Sequence, residues 1–286
     1  MDVLFPDKLD ALWKLWDSHP EARLMAGGTD LLVAVAAKRI RPRTLICLER
    51  IGELRQIRRG ETEYHIGATA TIQDILDDEG LGKEMPLLAH ALSLLGSPPI
   101  RHAATLGGNI CTASPAGDSL PPLHVMDASV ELRSAQGNRR MPVSEFITAP
   151  GRSVLRQGEI LDSVIVPLTC GGDCCGFFKL GHRKALAIAV ASLAAVWRTD
   201  PNGVLTKIRL AWGSVGPTTM LLPDVEKWLL GKPLDEETLT HARRMARDGV
   251  APIDDLRATA SYRRESAGNL LFKLLDASPI SPHVFS

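Results

Sequence analysis

Two glycine pairs set the strongest limit on how this chain folds: Gly27-Gly28 in AGGTDLL and Gly107-Gly108 in ATLGGNI, the first separated from an apolar run by Thr29 and Asp30 and the second from Ile110 by Asn109. Before the first pair, ARLMA has the makings of a short strand. After it, LLVAVAAK has helical composition up to Pro42, with Thr29 or Asp30 able to cap. Such a turn leaves backbone N–H groups unpaired at a helix start, where the helix dipole favours an anion and glycine lets that anion reach the main chain. Taken alone, a Gly-Gly turn before a capped helix is more often just a strand-to-helix connection. The second loop repeats the pair with Thr105 two residues before and Asn109 directly after, and SPAGD follows at 114–118. One phosphate needs one such nest, so two nests about 80 residues apart fit a dinucleotide whose diphosphate lies between subdomains. Asp118 then either accepts hydrogen bonds from ribose hydroxyls or caps a helix over 119–126. Neither loop reads GxGxxG or GxxxxGK[ST], which argues against the Rossmann and P-loop nucleotide sites.

The remaining pattern is mixed. Leu9, Leu12, Trp13, Leu15 and Trp16 recur at helical spacing, TLICL (44–48) and YHIGA (64–68) read as strands, and Thr71 with Asp74 forms an approximate capping box. PLLAHALSLLG (86–96) predicts an amphipathic helix, and 97–118 a long structured loop. ASVELRS pairs across AQGN with the segment near Met141, EILDSVIVP is a further strand, and TCGGDCCG is the most plausible junction. IAVASLAAVWRT and VLTKIRLAWGSV flank the turn sequence DPNG as an antiparallel hairpin, and three helical stretches complete a compact α+β unit.

Composition narrows the function. The 286 residues are long for one core, and 33 basic against 33 acidic side chains give no field to recruit nucleic acid or an anionic membrane. The N-terminus has no leader pattern and no stretch is a candidate for membrane insertion, so a cytoplasmic protein is expected. Five cysteines, an odd number, argue against a disulfide framework. Cys170, Cys174 and Cys175 fall short of the four ligands of a usual metal centre and read as free thiols, and the eight histidines show no metal spacing.

AGGTDLL, LERIGELRQI, HIGATATIQDIL, IRHAATLGGNICTASPAGD and TASYRRESAGNLL, in this order over nearly the whole chain, resemble the FAD-binding medium subunit of the molybdenum hydroxylases, the family of xanthine and carbon monoxide dehydrogenases. The resemblance implies an α+β fold: a two-subdomain FAD-binding region of the vanillyl-alcohol oxidase/PCMH type over 1–170 (subdomains about 1–58 and 59–170), then a small C-terminal α+β domain of antiparallel sheet and helices over 171–286. It implies that Leu24, Met25, Ala26, Gly27, Gly28, Thr29, Asp30 and Leu31, with Thr105, Leu106, Gly107, Gly108 and Asn109, hold the diphosphate of noncovalent FAD. Asp118 would hold the adenosine ribose, Leu95 and Leu161 would line the cleft, and Lys179 would lie near the flavin. Partners implied are a [2Fe-2S] small subunit and a molybdenum-cofactor large subunit, with NAD+, a quinone or oxygen as acceptor. No residue here need act as acid, base or nucleophile, and no metal is held.

Two departures stand out. His102 occupies a position where the family often has asparagine, and Ala185-Leu186 replaces a common Asp-Tyr pair, so that Leu186 is left to cover the ring. The four-cysteine insert of benzoyl-CoA-type relatives has no counterpart, so no iron–sulfur centre is expected in this chain. Two other readings stay open from the sequence: a stand-alone flavin oxidoreductase of the vanillyl-alcohol oxidase and MurB type, and a cofactor-free scaffold in which both glycine loops are only turns.

Overall fold

The computed structural model describes residues 1–168, 173–183 and 187–276, and its chain divides into two compact units. Unit 1 gathers residues 1–78, 96–112 and 128–167; unit 2 gathers 79–95, 113–127 and 168–286. The first 167 residues therefore do not stay together, because two of their segments fold with the C-terminal part of the chain.

Unit 1 begins with β1 (Asp2–Leu4), α1 (Leu9–Ser18), β2 (Arg23–Met25), α2 (Leu31–Ala36) and β3 (Thr44–Cys47). The strands form a parallel sheet in the order β1-β3-β2, with Leu24 opposite Ile46 and Met25 opposite Cys47. Leu9 and Leu12 of α1 bury against Ile46, Leu48, Ile51 and Leu54. Parallel strands end on one edge, so the glycine loop that follows Met25 leaves from the carboxyl edge, where open sheets present ligand sites.

A second, antiparallel sheet runs β4-β5-β10-β6-β7, built from β4 (Ile57–Arg59), β5 (Glu63–Gly67), β6 (Ser129–Ser134), β7 (Gly137–Pro142) and β10 (Ile160–Pro167). A short hairpin, β8 (Ile147–Ala149) and β9 (Arg152–Ser153), follows the single turn α9 (Val143–Phe146). Thr71 and Asp74 do form a reciprocal capping box at the start of α3 (Ile72–Asp77). Residues 97–112, expected as loop, are instead two short helices, α6 (Pro98–Ala103) and α7 (Leu106–Thr112). Prolines at the first turn of α6 tolerate a helix start because they lack only an orphan donor, and these six- and seven-residue helices depend on packing rather than propensity.

Unit 2 starts with α4 (Glu79–Glu84) and α5 (Pro86–Ser93), then takes in α8 (Leu120–Val125). Its sheet is β11 (Cys174–Leu180), β12 (Ala191–Thr199) and β13 (Leu205–Gly213), in that order and antiparallel, with β12 and β13 forming the hairpin that DPNG predicts. Alternation divides the sheet into two faces. Leu193, Ala195, Trp197, Ile208, Leu210 and Trp212 form a core with α10 (Pro223–Leu229), α11 (Glu236–Gly249), α12 (Ala260–Asn269) and the closing turn α13 (Lys273–Asp276). The other face is covered by α5 against β11 and α8 against β12 and β13. A methyl group added to Gly213 would lie 2.9 Å from Pro121 of α8. Helix α5 is thus not amphipathic in use: Leu87, Leu88, Ala89, Ala91 and Leu92 are all buried, as a helix between a sheet and its neighbours requires.

No helix among the described residues is long and apolar enough to cross a membrane. Trp212 is fully buried and donates its indole N–H to the Ala267 carbonyl at 3.0 Å, which ties β13 to α12. Trp212→Phe, which strands that carbonyl, is expected to cost about 1–2 kcal/mol, and Trp212→Ala about 3–5 kcal/mol, in urea unfolding followed by far-UV circular dichroism.

Candidate cofactor site

In unit 1 the two glycine loops lie against each other. A Cβ on Gly27 would fall 1.7 Å from the Ala103 carbonyl oxygen, so the main chain of the first loop rests directly on the end of α6. Gly28 follows at φ +70°, a left-handed conformation that side chains rarely adopt. The contact is fastened from the other side, where the Thr112 hydroxyl donates to Asp30 Oδ2 at 2.8 Å. Asp30 is therefore a brace between the loops; it holds the N-cap position of α2, but its side chain makes no capping bond there.

The loops differ in what their amides do. At the start of α7 every amide is used: Leu106 donates to Ala70, Gly107 to Ala68, Gly108 to Thr105 Oγ1 and Asn109 to the Thr105 carbonyl. Gly107 also approaches Ala68 so closely that a Cβ would lie 2.6 Å from that methyl group. By contrast, among the described residues no protein acceptor meets the amides of Gly27, Gly28, Thr29, Asp30 and Leu31. Successive unbonded N–H groups at the carboxyl edge of a parallel sheet make an anion cradle. Leu24 and Met25 supply the strand before it. Leu161, 4% exposed, sits in β10 just before a register shift between it and Ser163. His102 is exposed on α6.

In unit 2 three of the expected residues meet. Lys179 Nζ, on the α5 and α8 side of β11, donates to Asp118 Oδ2 at 2.6 Å and to the Leu94 carbonyl at 3.1 Å. Both side chains are 8% exposed. Leu95 follows Leu94 and is buried. Asp118 does not cap α8; Ser119 takes the N-cap position with no side-chain capping bond, and the carboxylate is committed to the lysine through Oδ2. Burial pushes the Asp118 carboxyl up to about 6 despite the opposing pull of Lys179. Its other oxygen, Oδ1, is buried and has no hydrogen-bond partner. A buried acceptor left open is costly and is the mark of a place for a donor that arrives with a ligand.

These features fit FAD. Open amides answer the diphosphate, and an unsatisfied buried carboxylate oxygen answers a ribose hydroxyl. The carbonyl of Leu94 as a lysine acceptor, and the bond between Thr112 and Asp30, had no signal in the sequence; both are long-range contacts. Cys174 and Cys175 are free thiols, and no group of potential ligands forms a metal site among the described residues. Cys170, Ala185 and Leu186 lie outside the described residues, and with them the question of what covers the flavin ring.

Comparison with known proteins agrees with this chemistry. Residues 1–169 match the family described as the FAD binding domain in molybdopterin dehydrogenase, and residues 176–278 match the CO dehydrogenase flavoprotein C-terminal domain. The nicotinate dehydrogenase FAD-subunit of Eubacterium barkeri is 32% identical over 254 residues, 88% of this chain and 86% of that one. The xanthine dehydrogenase FAD-binding subunit of Escherichia coli O157:H7 is 33% identical over 256 residues, 89% and 87% of the two chains. In structure, a chain of carbon monoxide dehydrogenase from Hydrogenophaga pseudoflava superposes with a TM-score of 0.91 at 29% identity, covering 97% of this chain and 96% of that one. The chain belongs to this family of FAD-binding medium subunits of molybdenum hydroxylases, is an oxidoreductase component, and has FAD as its cofactor.

The close approach at Gly27 gives a direct test. Gly27→Ala forces the first loop off Ala103 and is expected to weaken FAD binding at least about 100-fold, roughly 2.7 kcal/mol or more. Gly82→Ala in α4, where a Cβ meets nothing within 4 Å, should leave FAD affinity unchanged and raise stability by about 0.5–1 kcal/mol. Fluorescence titration with FAD and urea unfolding measure the two effects.

Proposed function

We propose that this chain is the electron-transfer subunit of a molybdenum hydroxylase complex. It receives electrons from the [2Fe-2S] clusters of a small partner subunit and passes them to NAD+, a quinone or oxygen. Substrate hydroxylation then takes place on a large subunit carrying the molybdenum cofactor. Support for the partners comes from the relatives: one similar protein, from Hydrogenophaga pseudoflava, is named a carbon monoxide dehydrogenase medium chain, and another is a subunit of the 6-hydroxypseudooxynicotine dehydrogenase complex of Paenarthrobacter nicotinovorans. The observations that carry the cofactor roles are the open amides at 27–31 in unit 1 and, separately, the unsatisfied Oδ1 of Asp118 in unit 2.

In this reading residues 24–31 hold the diphosphate through backbone N–H groups, and residues 105–109 seat that loop rather than offering amides of their own. Asp118 accepts from a ribose hydroxyl through Oδ1, while Lys179 fixes the carboxylate through Oδ2 and is itself aimed by the Leu94 carbonyl. Lys179 brings little net charge to a nearby flavin, because Asp118 balances it. Leu95 and Leu161 supply apolar walls. Bound flavin joins one-electron donors to two-electron acceptors. The chain's own work is binding, orientation and exclusion of water.

Mild acid release of cofactor from the purified protein is expected to yield FAD. FMN, or a colourless protein, would overturn the diphosphate grip. Co-purification with an iron–sulfur and a molybdenum subunit is expected, whereas a chain that elutes alone and oxidises a small molecule unaided would overturn the subunit role.

Asp118 also makes FAD binding pH-dependent. Protonation removes the acceptor and weakens the lysine contact, so affinity is expected to fall as pH drops below about 6, by up to about tenfold per unit. Asp118→Asn should bind more weakly at pH 7 and lose this dependence. In the flavin-free protein the sign of the stability effect is opposite to that of an ordinary salt bridge. Because the folded value lies above the ordinary aspartate value of 3.8, the contribution is fully present below that pH and is lost as pH rises through about 6. Thermal melts of wild type and Asp118→Asn across pH 4–7 measure it.

A further inference from the structure

Arg263, on α12, is 3% exposed and sits where separate stretches of unit 2 converge. Its Nη1 donates to the Val190 carbonyl at 3.0 Å and to the Ser214 carbonyl at 2.8 Å. Its Nη2 donates to Asp255 Oδ1 at 2.6 Å. A planar guanidinium serves three acceptors in different directions at once, which an ammonium on a flexible stem does less well.

Each acceptor leads back to the ion pair of the cofactor site. The Val190 amide donates at 2.7 Å to the carbonyl of Leu180, the residue after Lys179. The Ser214 amide donates at 2.9 Å to the carbonyl of Pro115, in the loop that carries Asp118. Asp255 shapes its own turn by accepting from the amides of Arg257 and Ala258 at 2.8 and 3.2 Å, and the Arg257 carbonyl meets His182 Nε2 at 2.6 Å. His182 and Val190, on either side of the stretch that follows β11, are thereby fastened to one turn and one cation. Packing alone does not call for this arrangement, since burying a charge costs several kcal/mol that a well-fitted apolar side chain avoids.

We propose that Arg263 is a positioning residue for the cofactor site: with Asp255 it clamps the chain beyond Lys179 and the loop bearing Asp118, and so fixes where the open Asp118 oxygen stands for the ribose of FAD. The inference rests on the ribose role of Asp118 given above. Asp118 and Lys179 then meet at a set distance because both of their segments hang from the same guanidinium. The conformational freedom of the two segments is removed before the cofactor arrives, which favours binding without a new contact to it.

A double-mutant cycle on the full chain stripped of flavin, read as FAD affinity by fluorescence quenching, separates this from a purely structural role. Arg263→Met is expected to weaken binding about tenfold or more, and Arg263→Lys to recover part of the loss. Combined with Asp118→Asn, Arg263→Met should add little, leaving the double variant about tenfold tighter than the product of the two single losses. Losses that multiply, or a folded Arg263→Met with wild-type affinity, overturn the clamp. Wild-type affinity in Asp118→Asn alone overturns the ribose reading, and the clamp with it. Should Arg263→Met fail to fold, His182→Ala unties only the exposed end. It should raise the dissociation constant about two- to threefold with an unchanged melting temperature, and no change in affinity overturns the proposal.

Discussion

The resting of the Gly27 main chain on the Ala103 carbonyl is the constraint on which unit 1's site depends. Only a residue without a Cβ fits there, and the following Gly28 must turn left-handed to enter α2. Seated in this way, the loop turns its amides away from protein acceptors, and the Asp30 to Thr112 bond holds the loop down. The second glycine pair serves the same end by another route. It lets α7 pack on Ala68 with its own amides satisfied, so that the two loops are unequal: one is a support and the other an open cradle.

Unit 2 answers a different physical problem, that of holding a carboxylate ready in a dry place. An isolated buried carboxylate would take up a proton at neutral pH. Lys179 holds Asp118 ionised above about pH 6, and Leu94 directs the lysine. The other oxygen is left without a hydrogen-bond partner. Such a pair adds little to stability, since desolvation opposes the Coulomb gain, and its retention in the core is better explained by recognition than by folding. The sheet makes the placement possible because alternation along β11 puts Lys179 on the face covered by α5 and α8, while Phe178 faces the C-terminal helices.

The family likeness spans both units, and this chain's departures from it are local. His102 is exposed on α6. The cradle lies in the loop before α2, the ion pair joins β11 to the loop before α8, and Arg263 stands on α12, so these residues are spread along nearly the whole length over which the family models match.

Local order was legible in the sequence wherever neighbours along the chain decide it. The strand before Gly27-Gly28, the Thr71 capping box, the hairpin across DPNG and the helices after residue 220 each follow from spacing or turn chemistry within a dozen residues. Helices α6 and α7 were not legible, because prolines and glycines there carry loop statistics and the helices are held by main-chain bonds to residues 68–72 and by packing on α3, β9 and β10. Nor was the partner of Asp118 legible from the residues themselves, since a capping role and a ribose role read alike in one dimension and Lys179 stands 61 positions away. The sequence by itself determined which bends are available to a nucleotide, by placing glycine where no side chain fits. Only tertiary structure decided which amides stay open and which carboxylate oxygen stays unsatisfied, because burial and hydrogen-bond satisfaction depend on groups that are distant along the chain and adjacent only once it has folded.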